Sequence, residues 1–339
     1  LHDYAWPIAR TGPRTEPEYD GAECDFPLAG SAYAWFEEVN TRGKDGLWEY
    51  PLAVELPEDL RARLSDRRAD ICGLPLDRPR VMGIVNVTPD SFSDGGDRFT
   101  VAAALEAVRG MEGADILDIG GESTRPGADF VPEADEIARV VPVIEAIRAA
   151  GVSTPISIDT RKASVAAAAL DAGADLVNDV SAMSFDSAMA GLVAERDVPI
   201  CLMHALGDPK TMQDDPRYDD VVLDVYDYLA GRIEVAQAAG IKPARIIADP
   251  GIGFGKTLEH NLAILQSLSL YHGLGVPLLL GASRKRFIGT LGGASQAKVR
   301  MPGSLAVGLH GAAQGAHILR VHDVAETVQA LQLWQAMTG

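Results

Sequence analysis

Cysteine is scarce in this chain. Only Cys24, Cys72 and Cys201 occur in 339 residues, an odd and widely spread set that fits neither a disulfide framework nor a zinc-ligand spacing. Long apolar runs are missing as well. No stretch approaches the roughly 20 apolar residues of a membrane span, and the opening Leu-His-Asp-Tyr-Ala-Trp lacks the basic and apolar regions of a secretory signal. A cytoplasmic protein without a membrane partner is therefore expected; because Leu1 is not an initiator methionine, the native start stays open. Positive charge is also in deficit, since 30 Lys and Arg stand against 48 Asp and Glu, for a formal net charge of −18. Nucleic-acid binding relies on clustered cations that displace counterions, so that class of partner is set aside. An anionic small molecule would have to be held by a few local cations, which makes the basic residues near a pocket the informative ones.

What is present is the composition of a soluble α/β enzyme, with nearly half the residues apolar and about a quarter charged. The length exceeds one ordinary domain but suits a barrel of about 250 residues with an added segment. From Val81 onward, short β-branched runs alternate with Ala-rich amphipathic stretches, the pattern of repeated βα units. Eight runs are expected as strands: Val81 to Val87, Ile116 to Ile119, Ile156 to Ile158, Leu176 to Val177, Ile200 to Met203, Ile246 to Ala248, Leu278 to Leu280 and Ile318 to Val321.

Nearly every run ends on a polar group: Asn86, Asp118, Asp159, Asn178, His204, Asp249, Ser283 with Lys285, and Arg320 with His322. Each alone could be a helix cap or turn residue. An open sheet would scatter eight such ends, whereas a closed (β/α)8 TIM barrel gathers them at one mouth, and this favours the barrel. Residues 1–70 break the rhythm. Their Pro- and Gly-rich stretches, aromatic clusters (Trp6; Tyr33, Trp35 and Phe36) and charged helix candidate Pro57 to Arg68 read as an N-terminal appendage packed on the barrel or on a neighbouring subunit, with 71–339 as the barrel domain.

Two motifs are long enough to be specific. Met82-Gly83-Ile84-Val85-Asn86-Val87-Thr88-Pro89-Asp90-Ser91-Phe92-Ser93-Asp94-Gly95-Gly96 carries a strand into a polar loop, and Asp118-Ile119-Gly120-Gly121-Glu122-Ser123-Thr124-Arg125-Pro126-Gly127 repeats the plan with an arginine able to swing over the mouth. Both resemble signatures of the dihydropteroate synthases. The resemblance continues in order through Ser157-Ile158-Asp159-Thr160, Val177-Asn178-Asp179-Val180, Leu202-Met203-His204, Asp249-Pro250-Gly251-Ile252-Gly253-Phe254-Gly255-Lys256, Ser283-Arg284-Lys285-Arg286 and Arg320-Val321-His322-Asp323, covering roughly residues 72–339.

The resemblance implies a transferase that condenses p-aminobenzoate with a dihydropterin pyrophosphate and releases pyrophosphate, with Mg²⁺ as cofactor and a homodimeric state. Asp159, Asn178, Met203, Asp249 and Lys285 would hold the pterin; Asn86, Arg125, Arg320 and His322 the pyrophosphate, with Asn86 also on the metal. Phe92, Thr124, Arg125, Pro126, Phe254 and Ser283 would surround p-aminobenzoate, and Asp94, Thr124, Arg125 and Lys285 would act in catalysis. The residue types suit this chemistry: a carboxylate accepts an N–H and an adjacent amino group in bidentate fashion, and a departing pyrophosphate calls for positive charge and a hard cation. The glycine-rich 251–256 stretch lacks P-loop spacing, so its glycines are read as letting backbone approach a ligand. Two rivals stay open at this point: a pterin-binding methyltransferase barrel, which would lack the two loop motifs, and a non-catalytic paralogue, which would have little need for the leaving-group cations.

Overall fold

In the computed structural model, which describes residues 4–13, 18–19, 22–43, 46–88, 101–123, 128–207 and 211–339, the eight β-branched runs all form strands. They are β1 (Arg80–Asn86), β2 (Ile116–Gly120), β3 (Ile156–Asp159), β4 (Leu176–Asp179), β5 (Ile200–Met203), β6 (Ile246–Asp249), β7 (Leu279–Leu280) and β8 (Ile318–Val321). All pair in parallel, in the order β6-β5-β4-β3-β2-β1-β8-β7. A parallel bridge between Ala248 and Leu278, with the Ala248 N–H donating to the Pro277 carbonyl at 2.9 Å, joins the two ends into a barrel. The fourth strand runs two residues beyond its apolar pair, because Asn178 and Asp179 continue the ladder opposite Cys201 and Leu202. Polar residues can do so here because the strand end faces an enclosed site instead of solvent.

The intervening helices are α1 (Val101–Arg109), α2 (Glu133–Ala149), α3 (Ala163–Asp171), α4 (Met189–Arg196), α5 (Val221–Ala238), α6 (Leu258–Gln266), α7 (Arg286–Leu291), α8 (Met301–Ala313) and α9 (Val324–Thr338). Their apolar stripes bury against the outward strand faces. On α3, for instance, Ala163, Val165, Ala166 and Ala169 are buried, small residues that bring helix and sheet close. Among the described residues no helix is long and apolar enough to cross a membrane.

The barrel has two chemically different ends. At the amino ends of the strands, Met82, Ile116, Leu176, Cys201, Ile247, Leu279 and Ile318 form one apolar cluster with Ile71 and Leu76, which plug the bottom. The carboxyl ends carry the polar groups. That separation forces any chemistry to the carboxyl mouth.

The N-terminal segment has a core of its own, in which Ala5, Leu28, Phe36, Val39, Ala53 and Leu64 are buried together. It contains short antiparallel sheets, among them Tyr4–Pro7 with Val39–Arg42, and the charged helix spans Glu58–Ser65. Its contacts with the barrel lie at or beside the bottom. Trp6 Nε1 donates to Ser269 Oγ at 3.1 Å, Ser269 Oγ donates to the Pro7 carbonyl, and Arg68 donates to the His272 carbonyl at 3.1 Å, all on the 3-10 segment Leu268–Leu274 that precedes β7. Tyr4 adds a hydrogen bond to Asp227 and an edge contact with Tyr226 on α5, and Tyr33 packs against Trp334 on α9. Of the aromatic residues that broke the sequence rhythm, Trp6 and Tyr33 dock the appendage on the barrel, whereas Trp35 and Phe36 pack within the appendage itself.

Candidate active site

Four of the strand-end groups meet as one cluster. Arg320, on β8, donates from Nε to Asp118 Oδ2 and from Nη2 to Asp159 Oδ2, both at 2.6 Å, so a single guanidinium bridges β2 and β3 from across the barrel. Asn178 Nδ2, on β4, donates to the same Asp118 oxygen at 3.3 Å. Asp159 is no helix cap: the residue at the N-cap of α3 is Lys162, and the Ala163 N–H is taken by Asp186. The other carboxylate oxygens, Asp118 Oδ1 and Asp159 Oδ1, are buried with no hydrogen-bond partner among the described residues. A buried acceptor without a donor is costly, so these two atoms mark where a donor-bearing ligand gains most. Burial pushes Asp159 up to about 7; Arg320 opposes that rise and Asp118 adds to it.

A second group gathers on the glycine-rich turn after β6. Asp249 Oδ1 accepts from the Gly251 N–H at 2.7 Å. Burial raises Asp249 to about 6, against the pull of that N–H, Lys285 and Arg320. Gly251 has φ 68°, and a Cβ there would lie 1.8 Å from the His204 carbonyl oxygen, so glycine is required by both conformation and space. The turn puts Phe254 against Met203 and Met212 as an apolar wall. Lys285 Nζ stands 3.9 Å from the centre of the Phe254 ring, a cation–π contact that leaves the ammonium at the border between the carboxylates and the apolar wall.

Just before Lys285 the chain is held by unusual backbone. Arg284 adopts φ 57°; its N–H donates to Ser304 Oγ at 2.8 Å and its guanidinium pairs with Asp323. These restraints place Ser283 and Lys285 on either side of it. Ser283 Oγ accepts from the His322 N–H at 3.2 Å and lies 3.1 Å from His322 Nδ1, so the expected leaving-group histidine and p-aminobenzoate serine are neighbours. Asn86 ends β1 opposite Gly120. Phe92, Asp94, Thr124, Arg125 and Pro126 lie outside the described residues.

Two features of the site went unnoticed in sequence. Lys256 is almost wholly buried, with Nζ 2.8 Å from His204 Nδ1; burial and the neighbouring Lys256 push His204 down to about 2. The Gly-Phe-Gly-Lys run was the available signal, set aside because it failed as a P-loop. Glu122, within the second motif, accepts from Lys162 Nζ at 3.1 Å and from the Val131 N–H at 2.9 Å, while Lys162 also pairs with buried Glu136 at 2.5 Å. This buried ion group anchors both margins of the 124–127 segment, and no periodicity argument pairs residues so far apart.

A closed parallel barrel whose carboxyl mouth joins buried carboxylates, cations and an apolar wall is a small-molecule enzyme, and its class follows from comparison: residues 82–322 match the family model described as pterin binding enzyme. A dihydropteroate synthase of Neisseria meningitidis serogroup B is 50% identical over 270 residues, spanning 77% of this chain and 94% of its own. The Xanthomonas albilineans dihydropteroate synthase solved with 4-aminobenzoic acid superposes with a TM-score of 0.74 at 51% identity, covering 79% of this chain and 97% of that one. The same organism's enzyme in complex with 7,8-dihydropteroate gives 0.71 at 48% identity, with 79% and 98% covered. The chain belongs to the dihydropteroate synthase family.

Proposed function

We infer that this chain condenses p-aminobenzoate with 6-hydroxymethyl-7,8-dihydropterin pyrophosphate, giving 7,8-dihydropteroate and pyrophosphate. The observation that carries the reading is the pair of buried acceptors without donors among the described residues, Asp118 Oδ1 and Asp159 Oδ1, beside Asp249 and Lys285. A pterin offers N–H and amino donors on one edge and acceptors on another, which matches carboxylates facing an ammonium. Asp159, Asp249 and Asn178 take the donor edge, Lys285 the acceptor side, and Met203 lies against the ring. The pterin methylene carbon is then directed toward Phe254 and Ser283, where p-aminobenzoate binds.

In the reaction a C–N bond forms from the arylamine nitrogen to the methylene carbon, the C–O bond to pyrophosphate breaks, and the amine loses a proton. An arylamine is unprotonated at neutral pH, so no strong base is needed; alignment and stabilisation of the leaving group carry the rate. His322 and the face of Arg320 turned away from its two carboxylates serve the pyrophosphate, with Arg125 from the second loop. Asp94 and Thr124 act with Arg125 and Lys285 around the reacting atoms, and Phe92 and Pro126 complete the walls around p-aminobenzoate.

Among the described residues no group of three or more His, Cys, Asp or Glu side chains could hold a metal. Asn86 offers one oxygen at the mouth, which fits Mg²⁺ arriving on the pyrophosphate and keeping much of its water shell. When bound, that ion neutralises charge developing on the leaving group. A homodimer in the cytoplasm completes the reading.

The methyltransferase alternative is disfavoured by the two loop motifs, and a pure binder by the leaving-group cations. The test is incubation of the purified chain with both substrates and Mg²⁺. Equal amounts of dihydropteroate and pyrophosphate, formed only when both substrates are present, are expected; no dihydropteroate with both present would overturn the assignment.

A further inference from the structure

Lys256 has three N–H donors and a matching set of partners. Its Nζ lies 3.0 Å from the Gly251 carbonyl, 3.1 Å from the Phe254 carbonyl and 2.8 Å from His204 Nδ1, with the His204 carbonyl at 3.5 Å. Gly251 and Phe254 bracket the glycine-rich turn, and His204 follows β5, the neighbouring strand. One buried side chain therefore ties both ends of the turn to the next strand of the barrel.

The consequence reaches the substrates through two residues that the turn carries. The Gly251 peptide is gripped on both sides, its oxygen by Lys256 and its N–H by Asp249 Oδ1. The Phe254 carbonyl is held by Lys256 while its ring faces Lys285. Every glycine in the turn has positive φ, so the segment has little intrinsic preference for this shape and needs external restraint to keep it. We propose that Lys256 is a positioning residue for the reaction: it holds the 251–255 turn so that the Asp249 carboxylate and the Phe254 ring present themselves together to the pterin and to p-aminobenzoate. Burial drives Lys256 down to about 7, and Asp249 acts against that fall by favouring the charged, three-donor form of the lysine.

The proposal rests on the condensation assigned above, and Lys256→Met tests it, since it keeps the chain length and removes every donor. Loss of a positioning contact that serves both bound substrates and the transition state raises KM at little cost to kcat. We expect KM for each substrate to rise about ten-fold or more, kcat at saturation to stay within about three-fold of the parent, and circular dichroism to match the parent. A purely structural lysine would instead lower the folded fraction, reducing apparent kcat with KM unchanged, and that result overturns the proposal. If Lys256→Met is not recovered folded, His204→Leu removes only the ring partner; KM for both substrates within two-fold of the parent in that variant also overturns it. Absence of product from the parent itself would refute the condensation and not the clamp. In that event the calorimetric affinity of a pterin for parent and variant decides: about ten-fold weaker binding to the variant upholds the clamp, and equal affinity overturns it.

Discussion

Pterin binding should release protons and weaken in acid, because the carboxylates proposed to receive the ring are held far above the ordinary aspartate range. Burial raises Asp159 to about 7 and Asp249 to about 6. Donors on the pterin favour the ionised form of each acceptor, so a proton bound at either position must leave before the ligand seats. Treating the two as independent, the competent fraction is close to one at pH 8 and falls below roughly one in twenty at pH 6. Affinity should then drop on the order of ten-fold between pH 8 and pH 6, with most of the loss below pH 7. Roughly one to one and a half protons should be released per pterin at pH 6 and almost none at pH 8. Isothermal titration calorimetry with a pterin that does not itself titrate in this window, repeated in buffers of low and high ionisation enthalpy, reads both quantities. The same raised values make the free protein bind more protons folded than unfolded at these two sites, so they favour the native state as pH falls through about 7 toward the ordinary carboxylate range. Affinity constant within two-fold from pH 6 to pH 8, with no buffer dependence of the heat, would refute the reasoning.

Lys285→Ala and Asp249→Asn should each weaken pterin binding by roughly 1–3 kcal/mol, since either leaves a ligand polar group unpaired in a desolvated pocket; unchanged calorimetric affinity in both would remove them from the site. Deleting residues 1–68 spares Ile71 and Leu76, which plug the barrel, and all eight strands, so the truncated chain should keep its mouth and most of its activity per folded molecule. It should nevertheless melt at lower temperature, having lost the Tyr4, Trp6 and Arg68 contacts, and a well-folded but inactive truncation would show that the appendage acts on the site. If, as proposed, Phe92, Thr124, Arg125 and Pro126 join Phe254 and Ser283 around p-aminobenzoate, it should bind poorly to the free protein and well once pterin, pyrophosphate and Mg²⁺ are present. Equal affinity in the two titrations would show a preformed pocket.

The barrel was legible because its signal is local. Each strand is a short apolar run closed by a polar residue, and convergence of those ends follows from closure alone, which correctly brought Asp118, Asp159, Asn178 and Arg320 together. Their partners were another matter. Two donors of Arg320 bridge carboxylates 161 and 202 residues away in sequence, a pairing set by the barrel's diameter and not by spacing along the chain. Lys256 escaped notice for a related reason: its partners are mostly backbone carbonyls, which every residue possesses and no motif advertises. The appendage could be recognised as foreign to the βα rhythm, but its place at the barrel bottom depends on single contacts such as Arg68 with the His272 carbonyl, which composition does not encode.

The central claim is that the carboxylates of the mouth receive the pterin, and a crystal structure of this chain with 7,8-dihydropteroate tests it most directly. The N–H and amino edge of the ring is expected within hydrogen-bonding distance of Asp159 Oδ1 and the Asp249 carboxylate, with Lys285 on the opposite side and the aryl group against Phe254 and Ser283. A ligand seated with its aryl group among the carboxylates, or bound away from the carboxyl ends of the strands, would contradict it.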